Sequence, residues 1–497
     1  MSDNFILFPQ DEAHFINFIN ENYGLIIQAH QLNNLRFTIQ FICEKYKIYL
    51  PAVLLNKIKN DVQCAECIEL IKKITVDESY FFRDEVQFDF LKNNYLPKLI
   101  EKKRQLGDKQ LRIWSAGCSK GQEIYSIAIL LHQLLPDYDD WNLHLLGTDV
   151  SYKVLNDAKI AHYNSWSIRI KSDSSYYKNY FNFIADESYA LNKKIKDSVK
   201  FSYVNLSENT FPSIMNGICS LDLILCRNVF IYFDKKVIEK TLEKFSESLN
   251  EEGCLLLAAS DPLHIKTQGL GLETEGDVFY FKKKLLTYQH NSVPSSQVEV
   301  VKRNALPIKL SDKKNSIKVT SKADNLKTIK SSIIRELSKA DWVTALLIIE
   351  KTLVTYTNDS DLYQFQAKCL TNMGRMKAAK VACEKSIEYD MLEPHSYLLY
   401  GLILMQLGLF SKAEQAFRQT IFLNNSFMEA HYQLGQLLLR QGLKTEAVKF
   451  IQNAIDISNK EPADRPIHNV ITLTYAGFSQ AMKSELALIE NKVEFYE

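Results

Sequence analysis

Leu111-Arg-Ile-Trp-Ser-Ala116, followed directly by Gly117-Cys-Ser-Lys-Gly-Gln-Glu123 and an apolar stretch from Ile124, is the segment on which the fold turns. A short β-forming run ends in two closely spaced glycines, and the residues after them place apolar side chains at helical spacing. Strand, small-residue loop and helix in that order let backbone N–H groups approach a ligand at a helix N-terminus. A glycine pair at a strand-to-helix turn also serves any doubly wound sheet that packs a helix closely, so the loop alone does not decide for a ligand.

Downstream, the apolar run Leu143 to Thr148 ends in Gly147-Thr148-Asp149. An acidic side chain at that point commonly accepts hydrogen bonds from ribose hydroxyls, and it equally suits the cap of the helix predicted after Ser151. The pattern favours a nucleoside without separating a dinucleotide from S-adenosylmethionine. Further β-rich runs at Val199 to Val204, Leu221 to Cys226, Cys254 to Ala259 and Val278 to Phe281 alternate with amphipathic helical stretches. This alternation predicts a mainly parallel α/β sheet.

Before it, residues 1–75 carry apolar positions at helical spacing (Phe15, Phe18, Ile19, then Leu35, Ile39, Ile42) and read as a small helical domain. Residues 76–284 form the α/β domain, and residues 285–325, rich in Ser, Pro, Lys and Asn, read as a linker. Residues 326–497 read as wholly helical: Ala345, Ala379, Ala413 and Ala447 recur at a period of 34, in register with Gly374, Gly408 and Gly442 and with Gly401 and Gly435. Small residues recur because antiparallel helices approach closely only where a side chain is Gly or Ala. This period predicts four helical repeats.

The 497 residues hold 60 basic and 59 acidic side chains, a net charge of +1, so no global field recruits nucleic acid. With 46% apolar residues each domain can bury a core. The nine cysteines, odd in number and mostly in apolar runs, read as buried thiols of a reducing compartment. Cys64-Ala-Glu-Cys67 lacks the second ligand pair of a zinc site, so no metal is expected. The N-terminus shows no leader pattern and no apolar run spans a bilayer, which predicts a cytoplasmic protein that meets a membrane only through a receptor.

Several separate segments, in order, resemble the blocks of the CheR family of chemotaxis receptor methyltransferases: Asp77-Glu-Ser-Tyr-Phe-Phe-Arg83, Trp114 through Ser126, Val204-Asn205-Leu206 and Cys226-Arg227-Asn228-Val-Phe-Ile-Tyr232-Phe-Asp234, with Ala259-Ser260-Asp261-Pro-Leu a looser match. Residues 326 to 459 resemble the tetratricopeptide repeat, with Gly401 and Ala413, or Gly435 and Ala447, at its small positions and Phe417 or Ile451 at its large one. The resemblance implies a class I, Rossmann-like methyltransferase fold with S-adenosylmethionine as methyl donor and S-adenosylhomocysteine as product. It implies transfer to glutamate carboxylates of a chemoreceptor-like protein, forming methyl esters, while the repeats dock a protein partner. By position it implies Asp77, Ser79, Arg83, Gly117, Glu123, Asp149, Asn205, Leu206, Arg227 and Asn228 around the cofactor, with Arg83 and Tyr232 nearest the methyl group as the catalytic pair.

Those residue types suit the reaction. A glutamate is ionised near pH 7, so alignment and exclusion of water matter more than a general base. Three departures from the family stand out: Asp77 and Ser79 replace the usual Asn and Thr, the stretch Leu32 to Gln40 retains one arginine (Arg36), and the stretch from Tyr180 to Lys196 lacks the glycines that tight hairpins favour. This last predicts no gripped peptide tether. Rival readings are an adaptor that keeps the fold and senses the cofactor, a methyltransferase with an unrelated acceptor, and a nicotinamide enzyme, which the absence of a Gly-x-Gly-x-x-Gly loop disfavours.

Overall fold

The computed structural model describes residues 7–62, 64–75, 78–169, 179–185, 187–262, 269–284, 322–339 and 341–462, with scattered positions between 466 and 486. The strands of the central sheet are β1 (Gln110–Ala116), β2 (Asn142–Asp149), β6 (Val199–Tyr203), β7 (Leu221–Cys226), β8 (Leu249–Leu257), β9 (Leu270–Glu275) and β10 (Val278–Lys283). They lie in the order β6-β2-β1-β7-β8-β10-β9. The first five are parallel, and β10 and β9 close the edge antiparallel.

Near-continuous apolar runs make these strands central, because both faces need cover. Alternate residues feed two cores. Ile113, Leu145, Leu223 and Leu225 pack with the helix Gln122–Leu134 on one side. Trp114, Leu146, Ile224 and Cys226 pack on the other with Ile238, Leu242 and Phe245 of the helix Lys235–Ser248. A two-residue period along the strand thus becomes two buried layers.

Four helices, Pro9–Tyr23, Leu32–Lys45, Pro51–Asn60 and Ala65–Ile74, enclose a separate core around Phe15, Ile39 and Leu54. Cys67 sits in that core, its thiol 3.3 Å from the Tyr23 hydroxyl, and Arg36 is paired with Glu12. The glycine-poor stretch after Tyr180 does form a hairpin: β4 (Phe181–Ala185) pairs with β5 (Ser188–Leu191), and β3 (His162–Asn164) completes the small sheet. Glu187, at φ 57°, takes the left-handed turn position that a glycine would otherwise hold.

Beyond residue 321, which with 285–320 of the expected linker lies outside the described residues, a helix already runs over Lys322–Ser338. It pairs with Trp342–Leu353, and three more pairs follow: Ser360–Asn372 with Met376–Tyr389, Pro394–Gln406 with Phe410–Leu423, and Met428–Arg440 with Lys444–Ser458. Ala345, Ala379, Ala413 and Ala447 are all fully buried. A Cβ on Gly401 would lie 2.6 Å from the Phe417 ring, and one on Gly435 2.7 Å from Ile451. After the last pair, the short strands Pro466–Ile467 and Val470–Thr474 interrupt the helical pattern expected to residue 497. Among the described residues no helix is long and apolar enough to cross a membrane.

Gly401→Leu should overpack this contact and cost about 2 kcal/mol in urea unfolding. A loss below about 0.5 kcal/mol would mean that the pair does not depend on the close approach.

Candidate active site

β1 is flanked by β2 on one side and β7 on the other, so the carboxyl end of β1 is the point where the sheet's connectivity reverses and where open α/β sheets hold ligands. Gly117 stands there at φ +75°, and a Cβ on it would lie 2.5 Å from Val229 of the loop after β7. Only a glycine lets the two loops meet. The N–H groups of Gly117 and Cys118 both donate to the Thr148 carbonyl, at 2.8 and 2.9 Å. Asp149 accepts from the Ser119 N–H (3.0 Å) with one oxygen and from the Ser151 N–H (3.0 Å) with the other, so it binds the glycine loop and caps its own turn together.

A third segment, residues 78–84, is fastened across these loops. The Phe81 N–H donates to the Ser167 carbonyl (2.9 Å), the Phe82 N–H to Ser126 Oγ (3.0 Å), and Gln122 Nε2 to the Ser79 carbonyl (3.1 Å). Phe81 is core, edge-on to Tyr163 and Phe181 at 4.8 and 4.9 Å. Phe82 and Asp84 hold positive φ, a conformation costing ~1–3 kcal/mol each that the anchoring bonds sustain.

Arg227 joins all three segments. Its side chain is 2% exposed, Nη1 lies 3.2 Å from Glu123 Oε2, and Nη2 donates to the Arg83 carbonyl and stands 3.7 Å from Asp84. The guanidinium lies over the Phe88 ring at 5.4 Å, and its Nε is buried without a partner. Glu123 also accepts from Ser115 Oγ at 2.7 Å. Burial pushes the Glu123 carboxyl up, while Arg227 and the Ser115 hydroxyl pull it down.

Asn228, at φ +58°, donates its N–H to Asp261 (2.7 Å) and its amide to Ser260 Oγ (2.8 Å). Asp261 also accepts the Ala258 N–H at 3.0 Å; burial raises its carboxyl and these peptide N–H groups oppose the rise. Tyr232 stands in the 3₁₀ turn Phe230–Tyr232, not on a strand. Burial raises its phenol and the nearby Arg83 charge opposes that, so it remains a donor at neutral pH. Its carbonyl accepts the Ile26 N–H (2.8 Å), and the Asp234 N–H donates to the Gly24 carbonyl (3.2 Å), so the N-terminal helices hold this loop.

Ser79, Arg83, Gly117, Glu123, Arg227 and Asn228 thus converge on one narrow recess of about 20 Å³. Asp149, the last residue of β2, holds the glycine loop beside it. Asn205 and Leu206 do not face it. The Asn205 amide is spent on the Asn22 carbonyl (2.7 Å), Glu208 (3.0 Å) and Ser207, and Leu206 is core. Asp77 lies outside the described residues. Sequence reasoning missed Ser115, Ser126, Asp84 and Asp261 as supports. Ser115, Ser126 and Asp261 lie inside the matched blocks and Asp84 directly follows one, but their roles depend on which groups the fold brings to them.

Comparison with known proteins bears on the same segments. The family described as CheR methyltransferase, SAM binding domain, matches residues 77–275, and the tetratricopeptide repeat matches 360–390, 394–425 and 429–461. A chemotaxis protein methyltransferase of Borreliella burgdorferi is 36% identical over 211 residues, 42% of this chain and 72% of the relative. The chain belongs to the CheR methyltransferase family. A second chemotaxis protein methyltransferase, from Listeria monocytogenes, is 28% identical over 275 residues, 55% of this chain and 97% of its own length. Among solved structures, the crystal structure of MamA is similar over 28% of this chain and 82% of its own, at 22% identity and a TM-score of 0.26.

This CheR-family chain is an S-adenosylmethionine-dependent methyltransferase. At about 20 Å³ the recess is far smaller than the cofactor, and what suits the cofactor is the donor set there: a buried guanidinium, a carboxylate opposite it, and a glycine loop packed too closely on Val229 to admit a Cβ. Glu123→Ala should leave Arg227 a poorly compensated buried cation and cost about 3 kcal/mol in urea unfolding. A change under about 1 kcal/mol would show that water reaches the guanidinium.

Proposed function

We propose that this protein methylates glutamate side chains of a chemoreceptor-like protein in chemotaxis-type signalling, and that its repeats dock a protein partner. The observation that carries this reading is the meeting of Arg83, Glu123, Arg227 and Asn228 in one recess, with the Tyr232 turn under the influence of the Arg83 charge. Bound S-adenosylmethionine supplies a methyl on a positively charged sulfur, which departs as the neutral thioether of S-adenosylhomocysteine.

The chain's own residues supply position. Arg227 and Asn228 suit a carboxylate of the cofactor's amino-acid end, Glu123 its ammonium, and Asp149 its ribose. Ser79 and Gly117 line the wall. Arg83, shared between cofactor and substrate, orients the incoming glutamate, and the Tyr232 hydroxyl donates a hydrogen bond beside it. The carboxylate oxygen gains the methyl and sulfur keeps the bonding pair, so no proton moves. No general base is required.

The test is transfer of a labelled methyl group to a purified chemoreceptor cytoplasmic fragment, with base-labile release distinguishing an ester. Absence of label on glutamate, while S-adenosylhomocysteine still binds, would refute the acceptor. Arg227→Ala should weaken S-adenosylhomocysteine by about 30-fold in calorimetry. Tyr232→Phe should instead lower kcat by about tenfold at unchanged affinity. Between about pH 6.5 and 8.5 kcat should be flat, because the substrate carboxylate is already ionised. A rise following a single ionisation in that window would reveal a base that the mechanism lacks.

A further inference from the structure

A second cavity, far larger than the recess, lies elsewhere in the chain. It encloses about 1320 Å³ between the sheet and the first helix of each repeat pair. One wall comprises Arg112 and Asn142, in the opening halves of β1 and β2, and the loop 209–217; the other carries Phe365, Lys368, Leu398, Leu402 and Arg440. At about 3.3 Å per residue, Arg112 and Asn142 stand ~13 and ~23 Å from the carboxyl ends of their strands, while Tyr125, Leu146 and Phe201, which also line the cavity, carry it along the sheet toward the glycine loop.

The array is pinned at the opening end of these strands. Ser220 Oγ donates to the Gly374 carbonyl (3.0 Å), the Gln110 amide to the Gln406 carbonyl, and Arg440 to Asn142 Oδ1 (3.2 Å). Ile214 and Cys219 are buried within the repeat core. The cavity is therefore a fixed feature of the chain.

Its charge is lopsided. Eight Lys and Arg side chains line it against three carboxylates, Asp197, Glu393 and Glu429, although the whole chain is nearly neutral. Lys368 and Arg440 have no carboxylate partner among the described residues; Arg440 meets only Asn142 and the face of Phe410, at 4.9 Å. Burial draws the Lys368 ammonium below its usual range. Burial, and then the charges of Arg112, Lys200 and Arg440, hold His144 neutral. Such cations in a low-dielectric, apolar-floored groove attract anionic groups over several ångströms.

We propose that this cavity is a docking groove for an acidic amphipathic segment of a protein partner, whose apolar face rests on Phe365, Leu398 and Leu402 while its carboxylates meet Lys368 and Arg440. The inference gives a chemistry to the partner docking proposed above and stands independently of the methyl acceptor. The expected linker cannot be the occupant on charge grounds: residues 285–321 hold six Lys or Arg and two Asp or Glu. Held at this end of the sheet, the docked segment is distinct from the glutamate in the recess, and it tethers the partner while another part reacts.

The test is fluorescence anisotropy of the full chain with a labelled amphipathic peptide of Leu and Glu at helical spacing, against the same peptide with Gln for Glu. The Glu peptide should bind at least about tenfold tighter, and the preference should shrink with added salt. Lys368→Glu should reduce its affinity by about tenfold and Lys368→Gln by less, with S-adenosylhomocysteine affinity unchanged as proof that the recess is intact. Equal binding of the two peptides, or unchanged binding by Lys368→Glu, would overturn the proposal. So would binding gained only after removal of residues 487–497, because the chain's own end would then be the occupant. Loss of cofactor binding with peptide binding retained would count against the methyl-transfer reading alone.

Discussion

A buried guanidinium is costly unless something opposes it, and the catalytic half of this protein is arranged around that cost at Arg227. Glu123 supplies the opposing charge from the helix after the glycine loop, Ser115 orients Glu123 from β1, and the Arg83 carbonyl and Asp84 come from the segment ahead of the sheet. These groups are distant in sequence and meet only because β1 and β7 are neighbours. An apolar pair of the same volume would commonly give equal or greater stability. The ionic arrangement is thus better explained by what it offers a ligand than by what it adds to folding.

Around this pair, backbone geometry does as much as side chains. Gly117 admits Val229, Asn228 turns through the left-handed region, and Asp261 takes up the peptide N–H groups that this turn would otherwise leave buried and unmet. The Tyr232 turn is then closed from outside by Gly24 and Ile26 of the N-terminal helices. The small helical domain thus supports the loop behind the site, and none of its described residues lines the recess.

Much of this was legible in the sequence, for physical reasons that differ by element. The six β-rich runs between Leu111 and Phe281 are all strands; double burial demands the continuous apolar residues of β1, β7 and the end of β8, while β6 and β10 are only partly buried. β9 escaped notice because Leu270 is its only buried residue, and the small sheet did because its strands are three to five residues long and its hairpin turns on Glu187 without a glycine. The repeats announced themselves by period, and in the first pair Ile333 is fully buried. Six of the positions that the family resemblance proposes for the cofactor line one small recess, and Asn205 and Leu206 lie outside that recess. Their side chains serve the helix contact and the core. Asp261 was unreadable as a support since its partners are peptide groups, which carry no sequence signature.

The joint between repeats and sheet has one further property. Ser220 and Gln110 grip the main-chain carbonyls of Gly374 and Gln406, and Gly374, at φ +78°, leaves room for the Ser220 hydroxyl to reach it. These two grips therefore do not depend on the side chains of the concave helices, whereas Arg440 serves the joint and the groove together. Substitutions along the concave helices, Arg440 apart, can retune what the groove accepts while the array keeps its angle to the enzyme, so partner choice and catalysis are free to evolve separately within one chain.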